Sequence, residues 1–270
     1  MAKTPSKTKE VAPQNPGPQT TALATPALSK EEMQAMYGDM SREHVSIPRL
    51  VILEPLSPEV GEKEGAPGDF YVKGLGRNLG PGPVEVVVLF RNFSRMSWKP
   101  LSEGGGIICQ AQDGKKGIGT PGGDCTVCPN KEWNGPIKPL CDLYENFIVI
   151  LREDLKRGEG FPMAISGSRT KLKGLKDFNT MLMQLAQRKL PLFAKSYNVR
   201  GIEKNNPKIK GNNLYRVFGF SVGNDNKQLD QAEQKEAYEF FKTYSSRPID
   251  IQQEHETSEV AAAGTEAQAF

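Results

Sequence analysis

From residue 46 to residue 222 the apolar residues fall mostly in short runs of β-branched and aromatic side chains, the pattern of strands. Ser46–Val60 reads as an extended arm. Its apolar centre, Leu50–Leu53, is bracketed by Pro48, Pro55 and Pro58, which disfavour helix and suit a segment laid along a sheet edge. Asp69–Lys73 predicts a short strand, and Val84–Arg95 a strong one, introduced by the turn Gly80-Pro81-Gly82-Pro83. Tyr144–Leu151 and Phe161–Ser166 predict two more. The period then changes. Leu172, Leu175, Phe178, Leu182 and Leu185 recur at helical spacing, with Ser168 or Thr170 available as a cap. Strands over Leu192–Gly201 and Asn213–Val222 follow, then a helix over Leu229–Tyr244 with Phe240, Phe241 and Tyr244 near one face. A short helix is also expected over residues 30–40.

Five strands with a helix between the third and fourth is the order of an OB-fold, a small Greek-key barrel that binds oligonucleotides. The expected class is therefore mainly β with α: an OB-fold-like five-stranded Greek-key barrel with a metal-binding loop inserted between its first two strands. Five segments follow from composition. Residues 1–30, rich in Pro, Thr, Ala and Lys, read as a disordered tail, and 31–68 as an N-terminal arm. Residues 69–224 form the core, 228–246 a C-terminal helix, and 247–270 an acidic disordered tail. No run of apolar residues approaches the length of a membrane span.

The inserted loop, 104–141, holds every cysteine of the chain: Cys109, Cys125, Cys128 and Cys141. Cys125-Thr126-Val127-Cys128 is a C-x-x-C knuckle, which aims two thiolates at one centre, and the other two cysteines can complete a tetrahedron. The surrounding Gly, Pro, Asp and Asn offer little core, so a structural zinc ion would organise the loop. Other readings are another metal or iron–sulfur group, and free or disulfide-bonded thiols. The start, MAKTPSKTKEV, lacks the apolar run of a signal peptide, which favours a reducing compartment. His44 and His255 lie in polar segments away from the cysteines, against a mixed-ligand catalytic site.

The net charge of +3 hides an asymmetry. Arg169–Arg216 holds twelve Lys/Arg and two acids, whereas the segment after Arg247 holds five acids and no Lys/Arg. A basic body with an acidic tail points to a polyanion as partner. Aromatic residues interleave with the charge: Arg91, Phe93, Arg95, Trp98 and Lys99 on the first barrel strand; Lys195, Tyr197 and Arg200 on the fourth; Tyr215 and Arg216 on the fifth. Cations for phosphates and rings for bases are what a single strand requires. Lys171, Lys173 and Lys176 on the helix add to the basic surface. Phe90, Phe218 and Phe220 read as core, and Tyr197 and Tyr215 fit either role.

Enzyme signatures are missing: there is no GxxxxGK[ST] loop, no GxSxG elbow and no HExxH. Gly74–Gly80 (GLGRNLG) matches a dinucleotide fingerprint only in spacing and reads as a turn. IPRLVILEPLSPEV, the knuckle CTVCPNKEW and the strand YENFIVIL after the last cysteine resemble a group of tailed-bacteriophage single-stranded DNA-binding proteins. That resemblance implies an OB-fold with a zinc-bearing insertion, a role in phage DNA replication or recombination, and the cytoplasm of the infected bacterial host. The expectation is a non-enzymatic protein that coats and protects exposed DNA without sequence preference. The alternatives are a zinc-ribbon transcription or host-takeover factor acting through protein contacts, or a zinc-containing replication or recombination enzyme. Asp250, Glu254, Glu256, Glu259, Glu266 and Phe270 resemble the partner-recruiting tails of such proteins, which contact replication proteins such as a polymerase, helicase or primase.

Overall fold

The computed structural model describes residues 29, 46–100, 103–168, 171–205, 214–223, 228–245 and 251. The helix expected over 30–40, the tail over 1–30 apart from Ser29, His44, Thr170, His255 and Phe270 lie outside them. By internal packing the chain divides into Met1–Ser41 and Arg42–Phe270, and every strand and helix named below belongs to the second unit.

Its strands are β1 (Arg49–Ile52), β2 (Phe70–Lys73), β3 (Arg77–Gly80), β4 (Val84–Trp98), β5 (Ile107–Ala111), β6 (Lys116–Gly119), β7 (Gly123–Asp124), β8 (Cys141–Leu151), β9 (Met163–Ser168), β10 (Ser196–Asn205) and β11 (Leu214–Val222). The longer helices are α1 (Arg152–Arg157), α2 (Leu172–Gln187) and α3 (Gln231–Ser245). The protein is mainly β, an open mixed sheet of eleven strands in the order β3-β2-β1-β9-β8-β4-β5-β6-β7, with β10 joining β4 and β11 joining β10. Every ladder is antiparallel except that of β1 with β9.

β4 and β8 form the spine, paired from Val86↔Leu151 to Ser97↔Cys141. Their continuous Val/Ile/Leu/Phe runs suit burial on both faces. One face carries Val86, Val88, Phe147 and Val149 and is covered by Leu175, Phe178, Leu182 and Leu185 of α2. The other carries Val87, Leu89, Ile148 and Ile150 and is covered by Leu155, Phe193, Leu229 and Ala237, with Phe240, Phe241 and Tyr244 of α3 packed alongside. Phe218 and Phe220 join the first core and Phe90 the second, as their sequence settings suggest.

Several expectations are corrected. The arm does not lie on a sheet edge: β1 runs between β2 and β9. Arg49–Ile52 is free of proline and can bond on both sides, and the carbonyl of Pro48 accepts the N–H of Ala164 at 2.8 Å. Pro58 opens a single helical turn, Pro58–Gly61, at a position where its missing N–H is harmless. The loop of 104–141 contains its own ribbon, β5-β6-β7. Among the described residues the five expected barrel strands and the short strand expected over Asp69–Lys73, now β2, are joined by five more: β1 from the arm, β3, and β5, β6 and β7 of the ribbon. Ser168 does not cap α2; it is buried at the end of β9, opposite Tyr144. Ile251, counted with the tail, is buried in the second core. The GLGRNLG run is the turn and return strand of the β2–β3 hairpin.

Candidate nucleic-acid interface and cysteine cluster

The interface begins where β4 leaves the core. A register shift between Val88 and Phe90 re-aims the strand, and just beyond it Arg91 and Phe93 come to the surface before hydrophobic burial resumes at Met96. Arg91 and Phe93 then alternate onto the α2 side and are exposed, Phe93 by 37%. The guanidinium of Arg91 sits over the Phe93 ring, 5.4 Å from its centroid. Beneath them lies Glu145 of β8, in register with Phe93 and only 2% exposed. Arg91 Nη1 donates to Glu145 Oε1 at 3.3 Å and to Asn179 Oδ1 at 2.6 Å, and Asn179 Nδ2 donates to the same carboxylate oxygen at 2.6 Å. A buried carboxylate is costly unless it is paired and hydrogen-bonded. Here it fixes an exposed ring and cation as one unit, one helical turn from the exposed Lys176.

The remaining residues singled out from sequence scatter. Trp98 is half-buried, and its indole N–H meets the Tyr144 hydroxyl at 3.2 Å. Lys99 is exposed, Lys171 half-buried, and Lys173 lies on α2. Lys195 is half-buried at a bridge to Gln228, at the foot of α3. Arg200 is exposed on β10. Tyr215 and Arg216 are half-buried on β11, and Arg216 is taken up by Glu203 at 3.0 Å and Glu54 at 3.5 Å. Tyr197 is no candidate for stacking on a base: it is 1% exposed and packs edge-on against Phe178, because β10 turns that face into the first core.

Strand pairing sets the cysteines. Ser97 of β4 stands opposite Cys109 of β5 on one side and Cys141 of β8 on the other. Cys125 and Cys128 come from the loop after β7, where Asp124 Oδ1 accepts the Thr126 N–H at 2.7 Å. All four thiols line one small cavity with Arg95, Asn130 and Lys131. The ribbon is built tightly round it: a Cβ at Gly117 would stand 2.9 Å from the Cys109 sulfur. All four cysteines are free thiols. Burial foremost pushes the Cys125 and Cys141 thiols up, neighbouring cysteines add to this, and Arg95 beside them works the other way. Among the described residues no group of three or more His, Cys, Asp or Glu is placed to hold a metal ion. The donor set, four thiols without carboxylate or imidazole, suits zinc in composition.

Sequence reasoning missed Glu145 and Asn179, which hold Arg91, and Trp133 of the ribbon. The signal for Trp133 was its place just after the knuckle, in a stretch with no core to receive it.

Mainly β, with a ring-and-cation platform at the end of its central strand and a cysteine ribbon beyond it, the chain belongs to a phage protein family. It matches the family of Pam3 phage gp34-like proteins over residues 18–247 and is a member of it. No curated protein and no solved structure matches it. No described helix is long and apolar enough to cross a membrane.

Proposed function

We propose that this phage protein binds single-stranded DNA without sequence preference, coating and protecting exposed strands during replication or recombination in the host cytoplasm, and that it is not an enzyme. The observation that carries this reading is the Arg91–Phe93 platform. An exposed ring with a guanidinium over it, held from beneath by a buried Glu145, offers a face to a base and a cation to a phosphate. Lys171, Lys173 and Lys176, at and just before the start of α2, are assigned to the same cationic surface.

The topology supports an OB-like core. In chain order β4, β8, β9, α2, β10 and β11 repeat the OB sequence of elements, with the ladders β4–β8, β8–β9, β4–β10 and β10–β11. A closed barrel would also join β9 to β11. Here β9 bonds β1 instead, and Glu54, just past β1, accepts the backbone N–H of Arg216 in β11 at 3.0 Å. On this reading the arm fills the seam of the barrel.

We assign Cys109, Cys125, Cys128 and Cys141 to a structural zinc ion. When bound, it would tie β5, β8 and the knuckle together through four thiolates and neutralise their charge. Asp250, Glu254, Glu256, Glu259, Glu266 and Phe270 are assigned to contact with a replication protein, the ring entering an apolar pocket and the acids meeting basic residues round it. Deleting 252–270 should abolish capture of a phage polymerase, helicase or primase from infected cells; capture that persists would leave the segment as a solubiliser.

The test of the main reading is a salt-titrated comparison of single-stranded DNA, RNA and duplex. Tight binding to single strands, falling steeply with salt, is expected. Absence of such binding would overturn the reading, and turnover of DNA with a divalent metal would replace it with an enzyme. A second reading, protein contacts through the ribbon, is favoured by the exposed aliphatic side chains Ile118, Val127 and Ile137.

A further inference from the structure

The cysteine ribbon carries more exposed surface chemistry than its folding requires, and it does so at two tips. The first is the turn between β5 and β6. Gly114 there has φ +68°, and a Cβ on it would stand 3.1 Å from the carbonyl oxygen of Phe93. The turn therefore rests on the backbone of the platform residue itself, an approach and a left-handed backbone that favour glycine. Asp113 Oδ1 accepts the N–H groups of Lys115 at 2.8 Å and Lys116 at 2.9 Å, so the carboxylate is drawn into the turn while both lysine side chains are exposed.

The second tip is the hairpin Asn134–Ile137, whose ends exchange N–H···O=C bonds of 3.1 and 3.0 Å. Trp133 and Lys138 flank this bridge on either side. Trp133 is 69% exposed. Monomeric surfaces rarely leave an indole on an ordered tip without use, because tryptophan is the side chain most often found buried at binding hot spots.

Charge separates the possible occupants. Between residues 107 and 140 there are four lysines and three acids. All three acids are engaged: Asp113 and Asp124 by backbone N–H groups, and Glu132 by Lys131 at 3.7 Å. What faces outward is an indole, aliphatic side chains, the ammonium groups of Lys115 and Lys116 and the three carboxylates, for a net charge of +1 over this stretch. Single-stranded nucleic acid is complementary to that, with apolar base faces on an anionic backbone.

We infer that the ribbon is a second nucleic-acid contact: Lys115 and Lys116 take phosphates beside Phe93, and Trp133 stacks on an unpaired base. The inference rests on the single-strand reading above and places the cysteine insertion on the DNA path.

The chain has two tryptophans, so Trp98→Phe leaves Trp133 as the only indole. Titrating that variant to saturation with oligothymidylate should quench the remaining emission, a result that does not depend on affinity. In the otherwise unaltered chain, Trp133→Ala should weaken oligothymidylate binding roughly five- to hundredfold with an unchanged salt slope. Lys115→Ala with Lys116→Ala should flatten the slope by about 1.4 units, at about 0.7 per phosphate on a single strand. Failure of the wild-type chain to bind oligothymidylate overturns both this inference and the reading beneath it. Wild-type binding with unquenched Trp133 emission, and variants that titrate as wild type, overturns this inference alone. Loss of a captured protein from Trp133→Ala would then mark the ribbon as a protein-docking surface.

Discussion

Arg152 donates from Nε to Glu233 Oε1 at 2.9 Å, and both side chains are buried. The same guanidinium reaches Glu85 Oε1 at 3.0 Å and Ser196 Oγ at 3.3 Å, and Ser196 Oγ donates to Glu85 at 2.6 Å. Glu233 also closes a capping box: its Oε2 accepts the Asp230 N–H at 3.0 Å, and its own N–H goes to Asp230 Oδ1 at 2.8 Å. One arginine thus fastens α3 to β4 and β10. Glu233→Ala removes one of the buried guanidinium's carboxylates together with the cap of α3, and should cost about 3 kcal/mol in urea unfolding. A change within experimental error would show that α3 is held by its apolar face alone.

Tyr197 gives a prediction of opposite sign. Its hydroxyl is buried and has no hydrogen-bond partner among the described residues. Burial also holds its phenol well above the ordinary value, so it stays neutral and un-ionised. Tyr197→Phe removes the unmet polar group and keeps the ring against Phe178. Stability should be unchanged or rise by about 1 kcal/mol, with DNA affinity unaltered. A marked loss of affinity at unchanged stability would return Tyr197 to the binding surface.

Phe93 and the α2 lysines should fail in different ways. Phe93→Ala should weaken single-strand binding by about 1–3 kcal/mol while leaving its salt dependence alone, because stacking releases no counterions. Neutralising Lys171, Lys173 and Lys176 should flatten the salt dependence by about 0.7 unit for each phosphate no longer neutralised. Equal slopes in all variants would place these lysines off the DNA path.

Zinc is expected in stoichiometric amount by elemental analysis of the purified protein. Cys125→Ser or Cys128→Ser should release it and lower the melting temperature, and a chelator should do the same to the unaltered chain. A variant that retained its zinc and its melting temperature would remove the knuckle from the site.

Much of the sheet was legible because its signals are local. β4 and β8 announce themselves by β-branched runs, and α2 by leucines at helical spacing. The ribbon strands were not legible. β6 and β7 are four and two residues long and contain glycine, so backbone pairing, rather than side-chain pattern, makes them strands. The place of β1 was misjudged because its prolines flank the paired residues instead of interrupting them. Glu145 could not be foreseen. Within YENFIVIL it reads as an outward residue, and its burial is compensated by Arg91, which lies 54 positions away, and Asn179, which lies 34 away. Tyr197 looked like a neighbour of Lys195 and Arg200 in a cationic strand; alternation puts it with Val199 on the inward face, opposite Arg200, while Lys195 lies just before the strand. The cysteines were legible as a cluster lining one cavity, but their separation across Ser97 was not, since it depends on which strand β5 chooses as partner.

The two-sided burial of β4 and β8 has a consequence for biosynthesis. α2 can cover its face once residue 187 has left the ribosome, but the opposite face, with Val87, Leu89, Ile148 and Ile150, waits for α3, which begins to emerge about sixty residues after α2 does. Until then Leu155 and Phe193 shield this face only in part, and the nascent chain presents an incompletely covered aliphatic sheet surface, of the kind that chaperones hold and that associates with its copies when crowded. A polypeptide interrupted before Asp230 would keep that surface open permanently and lose the glutamate that Arg152 needs. Incomplete chains of this protein should therefore be cleared or precipitate, not accumulate as shortened DNA-binding competitors.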